Sequence, residues 1–548
     1  MPMPGGAAAE VETAAIRAAI AAIEASDHDR ASEIARAALA GGAVHPLLLN
    51  LRAFWHEKQG RDRDALSDLE YAHALAPDDA TVLNALGLCL EKLGRSREAR
   101  DAFDKAAAVA PDFAPAHVNA GRLSEALGKS DAAWTNYLRA MECGQNTHPN
   151  LASLAARRAD WPKARIHADL ALAINPGLIS AEHVLAAVET AAGDHGAAAG
   201  RLSRLLQTDS LALSDRATTL SLLGDARDGA GQYAHAFAAY EAGNTALRQL
   251  HASRFANPSI ENMREYVERL RRHFECLPAE GWSNAETNAP GNEESPTQHV
   301  FIVGFARSGT TLLEEILACH PDIVTTQERD GLADAVRGLL ATEAGLERLA
   351  VLKGGGLARY RRSYWRQIAD FGISAGAGCL VDKQPYNTIG LPLIAKLFPR
   401  AKILFCVRDP RDVVLSCFRR RFAMNATNFQ LLDLESAARF YDSVMRLADI
   451  YRTKFALDLR EIRYETLVSG FEAETAGICA FIGLPWTGQM GNFAESATRR
   501  SVITPSGAQL ARGLNARGVG HWRNYRAQLE PVLPLLLPWV DKFGYPAD

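Results

Sequence analysis

Small and apolar residues in the first half of the chain recur at helical spacing within a longer repeat. Gly60, Gly94 and Gly128 stand 34 residues apart, as do Pro77 and Pro111. A period of that length marks a helical unit that buries its apolar face only by stacking on its neighbours. Between Ala80 and Pro111 the unit carries Leu86, Gly87, Gly94, Ala99, Phe103 and Ala106, and the next repeats it with Gly121, Gly128, Ala133, Tyr137 and Ala140. Small residues at Gly87 and Ala99 predict two closely packed helices, with Phe103 between them and Pro111 closing the second. The preceding unit keeps Ala65, Ala72 and Pro77, and beyond Cys143 the register drifts while alanine-rich helical pairs continue through residues 161–176 and 231–244.

Residues 276–298 break this pattern: Pro, Gly, Asn, Ser and Glu dominate and no apolar period survives, which predicts a linker. Beyond it, short β-rich runs alternate with helical patterns: HVFIVGF precedes TTLLEEILACH, CLVDKQP precedes GLPLIAKLF, and AKILFCVRDP precedes DVVLSCFRRR. That alternation predicts βαβ units around a parallel sheet covered on both faces, where ligands bind at the C-terminal strand ends. The expected organisation is an all-α repeat domain over residues 10–250, a connecting helix and flexible linker over 251–298, and an α/β domain over 299–548.

A chain of 548 residues is long enough for two or more domains. Its 60 basic and 64 acidic residues leave a net charge of −4, which offers no global attraction for nucleic acid or an acidic membrane, so an anion site must be local. The eight cysteines are scattered without a CxxC pair and are expected to be reduced core thiols. Residues 1–6 lack a basic start followed by an apolar run, which argues against a secretory signal. The apolar stretch 531–540 is interrupted by Pro531, Pro534 and Pro538 and has about half the ~20 residues of a membrane span. A cytoplasmic enzyme without a membrane span is therefore expected.

The first predicted strand of the α/β domain runs into Gly304-Phe305-Ala306-Arg307-Ser308-Gly309-Thr310-Thr311, with a helix expected from near Leu312. The glycine spacing matches the phosphate-binding loop GxxxxGK[ST], in which backbone N–H groups and a helix N-terminus cradle an anion. Thr310 stands where that loop has lysine. A nucleoside-triphosphate enzyme uses the lysine, with Mg²⁺, on a polyanion. A loop with Arg307 and two threonines suits the lower charge of a 5′-phosphosulfate. A second anion site follows about a hundred residues later, where Arg408 ends another strand, Ser416 lies eight residues on, and Arg420 is placed one further helical turn along the same face. An arginine fork with a hydroxyl fits a phosphate monoester. The plainer alternatives are an Arg408–Asp409 ion pair and a solvated basic face at residues 419–421.

The repeat residues resemble the tetratricopeptide repeat. The segments GFARSGTTLLEEILACHPDIVTTQE, VDKQPYN, FPRAKILFCVRDPRDVVLSCF, IRYETLV and FIGLPW resemble the sulfotransferase superfamily, above all the tyrosylprotein sulfotransferases and bacterial proteins that join such repeats to a sulfotransferase domain. The resemblance implies a tetratricopeptide solenoid followed by a P-loop-like α/β sulfotransferase domain, and 3′-phosphoadenosine 5′-phosphosulfate as co-substrate, with no metal. Arg307, Ser308, Gly309, Thr310 and Thr311 would hold the 5′-phosphosulfate; Arg408, Ser416 and Arg420 would hold the 3′-phosphate; and Tyr464 would contact the nucleotide. Residues 497–510, with Thr498, match the loop that closes over adenosine, although Thr504 stands where a lysine is expected. Arg517 or His521, beside Trp522, are candidates for a later basic contact.

Sulfuryl transfer to a hydroxyl needs a base for the acceptor proton and donors for the charge that develops on the leaving group. Glu328 aligns with the catalytic glutamate of the similar enzymes. His320 is its rival, though ACHP reads as a helix C-terminus where histidine meets unpaired carbonyls. Lys383 resembles the lysine that stabilises the transferring group, its plainer alternative being a surface lysine paired with Asp382. The expected partner is a hydroxyl acceptor, with a peptide or protein tyrosine held by the repeat groove as the first candidate. The alternatives are sulfation of a glycan, lipid or small molecule with the repeats used for assembly, a P-loop kinase, and a non-catalytic scaffold.

Overall fold

Helices of 13 or 14 residues follow the 34-residue period through the repeats: Ala80–Lys92 pairs with Ser96–Val109, and Ala114–Ala126 with Ser130–Glu142. The computed structural model describes residues 5–208, 211–257, 259–277, 296–374, 376, 378–500, 514 and 518–548. The period fixes the packing because a Cβ at Gly87 would lie 2.5 Å from Phe103 Cε1, and one at Gly121 would lie 2.7 Å from Tyr137 Cε1. Each ring therefore sits on bare glycine backbone, and even alanine would push the helices apart. These repeats belong to a compact unit of residues Met1–Leu154.

The second unit, Ala155–Asp548, begins with further helical pairs, of which Leu213–Gly229 and Tyr233–Phe255 form the last hairpin. A helix at Met263–Cys276 follows, started by a reciprocal capping box between Asn262 and Glu265. Five parallel strands come next: β1 (Gln298–Gly304), β2 (Ile323–Thr325), β3 (Cys379–Lys383), β4 (Lys402–Val407) and β5 (Asp458–Arg463). Their order across the sheet is β2-β3-β1-β4-β5. The apolar runs are continuous because the central strands are covered on both faces. Val300 and Ile302 of β1 join Leu313, Ile316, Leu404 and Ile462 on one side, while Phe301 and Val303 join Phe405, Tyr441 and Val444 on the other.

That second core also contains Ala236, Tyr240, Val267, Leu270 and Phe274. The Met263–Cys276 helix packs on the helix Leu434–Lys454, where Phe274 meets Tyr451 edge to face and Ser443 Oγ donates to Glu268 at 2.8 Å. The division of packing thus falls between Leu154 and Ala155, well before the connection read over 251–298. Composition follows the polarity of the chain, whereas this division follows which apolar faces meet. Residues 278–295, most of that expected linker, lie outside the described residues.

Five cysteines are buried, Cys143 and Cys319 are partly so, and Cys276 is exposed; all eight are free thiols. Among the described residues no helix is long and apolar enough to cross a membrane.

Candidate active site

All five strands deliver a side chain or loop of the expected site at their C-terminal ends, where a parallel sheet opens its crevice. After β1, Arg307 has φ 70° and Gly309 φ 96°, and this left-handed backbone builds an N–H concavity of the kind that takes anions. Gly309 caps the helix Thr310–Leu317, which starts two residues before the expected position and adds its N-terminal dipole. A side chain at Gly309 is excluded twice, by its φ and by Tyr464 Cδ2, which would lie 2.7 Å from a Cβ. Ser308, Thr310 and Thr311 are buried in the same turn.

Arg307 Nε donates to Ser416 Oγ at 2.9 Å. Arg408, directly after β4, donates to the carbonyls of Arg307 at 3.1 Å and Gly518 at 2.5 Å. Its guanidinium lies 4.7 Å from the ring centre of Tyr464, the first residue after β5. Among the described residues Arg408 Nε is buried without a hydrogen-bond partner, a donor that an incoming anion would satisfy. Burial, followed by the charges of Arg420 and Arg408, lowers the pKa of Arg307, so an anion here would relieve a buried cluster of like charge.

Arg420 joins this cluster by a route that helical spacing does not predict. The helix Pro410–Arg419 stops before it, and Arg420 takes extended backbone with its Nη1 3.3 Å from Asp225 Oδ2. Arg419 pairs with Asp228 at 2.6 Å, so neither arginine belongs to a solvated face. The alternative Arg408–Asp409 pair is also absent, because Asp409 is held by Arg411 through contacts of 2.9 and 2.8 Å.

Beyond β2, consecutive left-handed residues Gln327 (φ 53°) and Glu328 (φ 63°) turn the chain back toward β3. Non-glycine residues adopt this region only where surroundings enforce it. Here Glu328 N–H donates to the Lys383 carbonyl at 3.0 Å, and Gln384 Nε2 donates to the Glu328 carbonyl at 3.3 Å. Lys383 Nζ, fully buried, then meets Glu328 Oε1 at 2.5 Å and Glu314 Oε2 at 3.1 Å. Burial opposes the lysine charge, but Glu314 and Glu328 outweigh it and raise the Lys383 pKa.

Lys383 is therefore not a surface partner of Asp382, which instead accepts from Tyr364 Oη at 2.7 Å. Glu314 escaped the sequence reading. Its signal was a pair of glutamates, Glu314 and Glu315, inside an otherwise apolar helix. The rival base, His320, is buried with Nε2 2.9 Å from the Pro485 carbonyl and Nδ1 accepting from Asp322 N–H, which leaves neither nitrogen for an acceptor. Thr498 falls in the helix Phe493–Arg500, but its side chain lies outside the described residues, as do residues 501–513 and Arg517. His521 Nε2 faces Asp228 at 3.0 Å. Among the described residues no three His, Cys, Asp or Glu side chains cluster as metal ligands.

The family model for the sulfotransferase family matches residues 299–488. Those residues are a sulfotransferase-family domain. A tetratricopeptide-repeat model matches residues 80–113. Protein-tyrosine sulfotransferase 1 of Danio rerio is 23% identical over a match covering 46% of this chain and 73% of its own length. The Drosophila melanogaster protein-tyrosine sulfotransferase is 26% identical, covering 47% and 54%. An uncharacterised protein of Aquifex aeolicus is 25% identical over 45% of this chain, and the match spans 33% of that protein. Among solved structures, the sulfotransferase domain of a Synechococcus olefin synthase aligns at 22% identity and TM-score 0.33, over 48% of this chain and all of that one.

Proposed function

We propose that the domain transfers a sulfuryl group from 3′-phosphoadenosine 5′-phosphosulfate to a hydroxyl acceptor. The observation that carries the reading is the convergence of two elements suited to anions, the lysine-less loop at 304–311 and the group Arg408, Ser416 and Arg420 that Arg307 joins to it, beside the Lys383–Glu328 pair. The donor has two anionic groups for those two elements. When bound, it supplies an activated sulfuryl group whose bond to the 5′-phosphate breaks as a bond to the acceptor oxygen forms.

Within this proposal, the loop N–H groups and Thr310 and Thr311 hold the 5′-phosphosulfate, while Arg408, Ser416 and Arg420 hold the 3′-phosphate. Glu328 accepts the acceptor's proton. Lys383 offsets charge on the leaving oxygen. Glu314 gives Lys383 a second carboxylate, so the lysine stays anchored and charged when Glu328 turns to the acceptor. The relatives named protein-tyrosine sulfotransferases make a tyrosine hydroxyl of a protein or peptide the first acceptor to test.

Calorimetric titration of the full chain with 3′-phosphoadenosine 5′-phosphate, and separately with ATP plus Mg²⁺, tests the donor assignment. Binding of the bisphosphate alone, lost in Arg408→Ala, is expected; a preference for ATP would return the kinase reading.

A further inference from the structure

The last helical hairpin reaches the arginines of the donor site with two carboxylates. Asp225 and Asp228 sit at the end of the helix Leu213–Gly229, one turn apart on one face. Asp225 Oδ1 accepts from Tyr240 Oη at 2.8 Å and Oδ2 faces Arg420 at 3.3 Å. Asp228 collects Arg419 at 2.6 Å, His521 at 3.0 Å and Tyr525 Oη at 2.5 Å. The hairpin is further clamped by Asn244 Nδ2 donating to the Phe418 carbonyl at 2.9 Å and by Phe237 stacking on Phe418 at 5.0 Å.

Arg420 needs such a hold. It lies past the end of its helix, so the helical backbone does not direct it, and both Arg307 and Arg408 carry the same charge nearby. A long side chain repelled by two neighbours moves into water unless a fixed carboxylate retains it. Asp225 is that carboxylate, and Tyr240 fixes its rotamer. We propose that Asp225 is a positioning residue that holds Arg420 beside Arg307 and Arg408, so that the helical hairpin completes the 3′-phosphate subsite. The proposal rests on the donor reading above.

The test compares 3′-phosphoadenosine 5′-phosphate with adenosine 5′-monophosphate by calorimetry on the full chain. The affinity ratio reports the contribution of the 3′-phosphate. In Asp225→Asn that ratio falls by about tenfold while monophosphate affinity holds, and Asp225→Glu retains most of it. In Arg420→Ala the ratio falls likewise, and adding Asp225→Asn lowers it no further. Should Asp225→Asn fold poorly, Tyr240→Phe, which frees the carboxylate's rotamer and removes the 3.3 Å contact that Arg419 Nη2 makes to Tyr240 Oη, lowers the same ratio by a smaller factor. A ratio unchanged in Asp225→Asn while Arg420→Ala loses it overturns the proposal, even if the melting temperature drops. So does a ratio that rises, which would make Asp225 a competitor of the phosphate. A wild-type chain with no preference for the bisphosphate would instead overturn the donor reading itself.

Discussion

Lys383 and its two carboxylates carry different burdens, and substitution separates them. Glu328 is partly exposed, whereas Glu314 is buried with the lysine. Glu328→Gln is expected to lower sulfuryl transfer by about 10²–10⁴-fold and leave bisphosphate affinity and stability nearly unchanged. Lys383→Met also abolishes transfer, but it strips the buried Glu314 of its cation at a cost of about 3–5 kcal/mol. Urea denaturation alongside labelled-donor assays distinguishes the two, and Glu314→Gln added to Lys383→Met recovers stability without activity. Equal destabilisation by both single variants would contradict this division of roles.

The hairpin formed by Leu213–Gly229 and Tyr233–Phe255 is docked through apolar packing and charge together, and the charged part has a definite pH dependence. Burial is the largest influence on Asp228 and raises its pKa, yet His521, Arg419 and Tyr525 together bring it down to about 2. A carboxylate depressed in the folded chain stabilises above its unfolded value of about 4, and that stability disappears as pH falls toward 2. The difference in melting temperature between wild type and Asp228→Asn is therefore expected to shrink between about pH 4 and 2. A difference that grows on acidification would show that burial, rather than the three partners, governs Asp228.

The second compact unit begins at Ala155, so the helices of residues 155–276 are part of what keeps the sheet covered. A chain starting at residue 155 is expected to fold cooperatively and bind the bisphosphate like the full chain. One starting at residue 296 exposes the core positions against which Val267, Leu270 and Phe274 pack, each a loss of about 1.5–3 kcal/mol, and it also lacks Asp225 and Asp228. Its near-ultraviolet dichroism should be weak and its bisphosphate binding lost. Native-like dichroism from that shorter chain would show the sulfotransferase-family domain to be self-sufficient.

The sequence by itself determined the repeat architecture, because a 34-residue spacing of Gly60, Gly94 and Gly128 and the Gly87–Phe103 pairing are local requirements of helix packing. It likewise determined the parallel sheet and the positions of Arg307, Glu328, Lys383 and Arg408 at strand ends, since continuous apolar runs and the loop glycines lie close along the chain. Tertiary structure alone decided the partners of those charges. Arg420 leaves the helix that spacing assigned to it and meets Asp225, 195 residues away; Lys383 turns from its neighbour Asp382 to Glu314 and Glu328. Periodicity reports which face of an element is buried, but an ion pair forms between whichever opposite charges the assembled faces leave within reach, and no local pattern records that meeting.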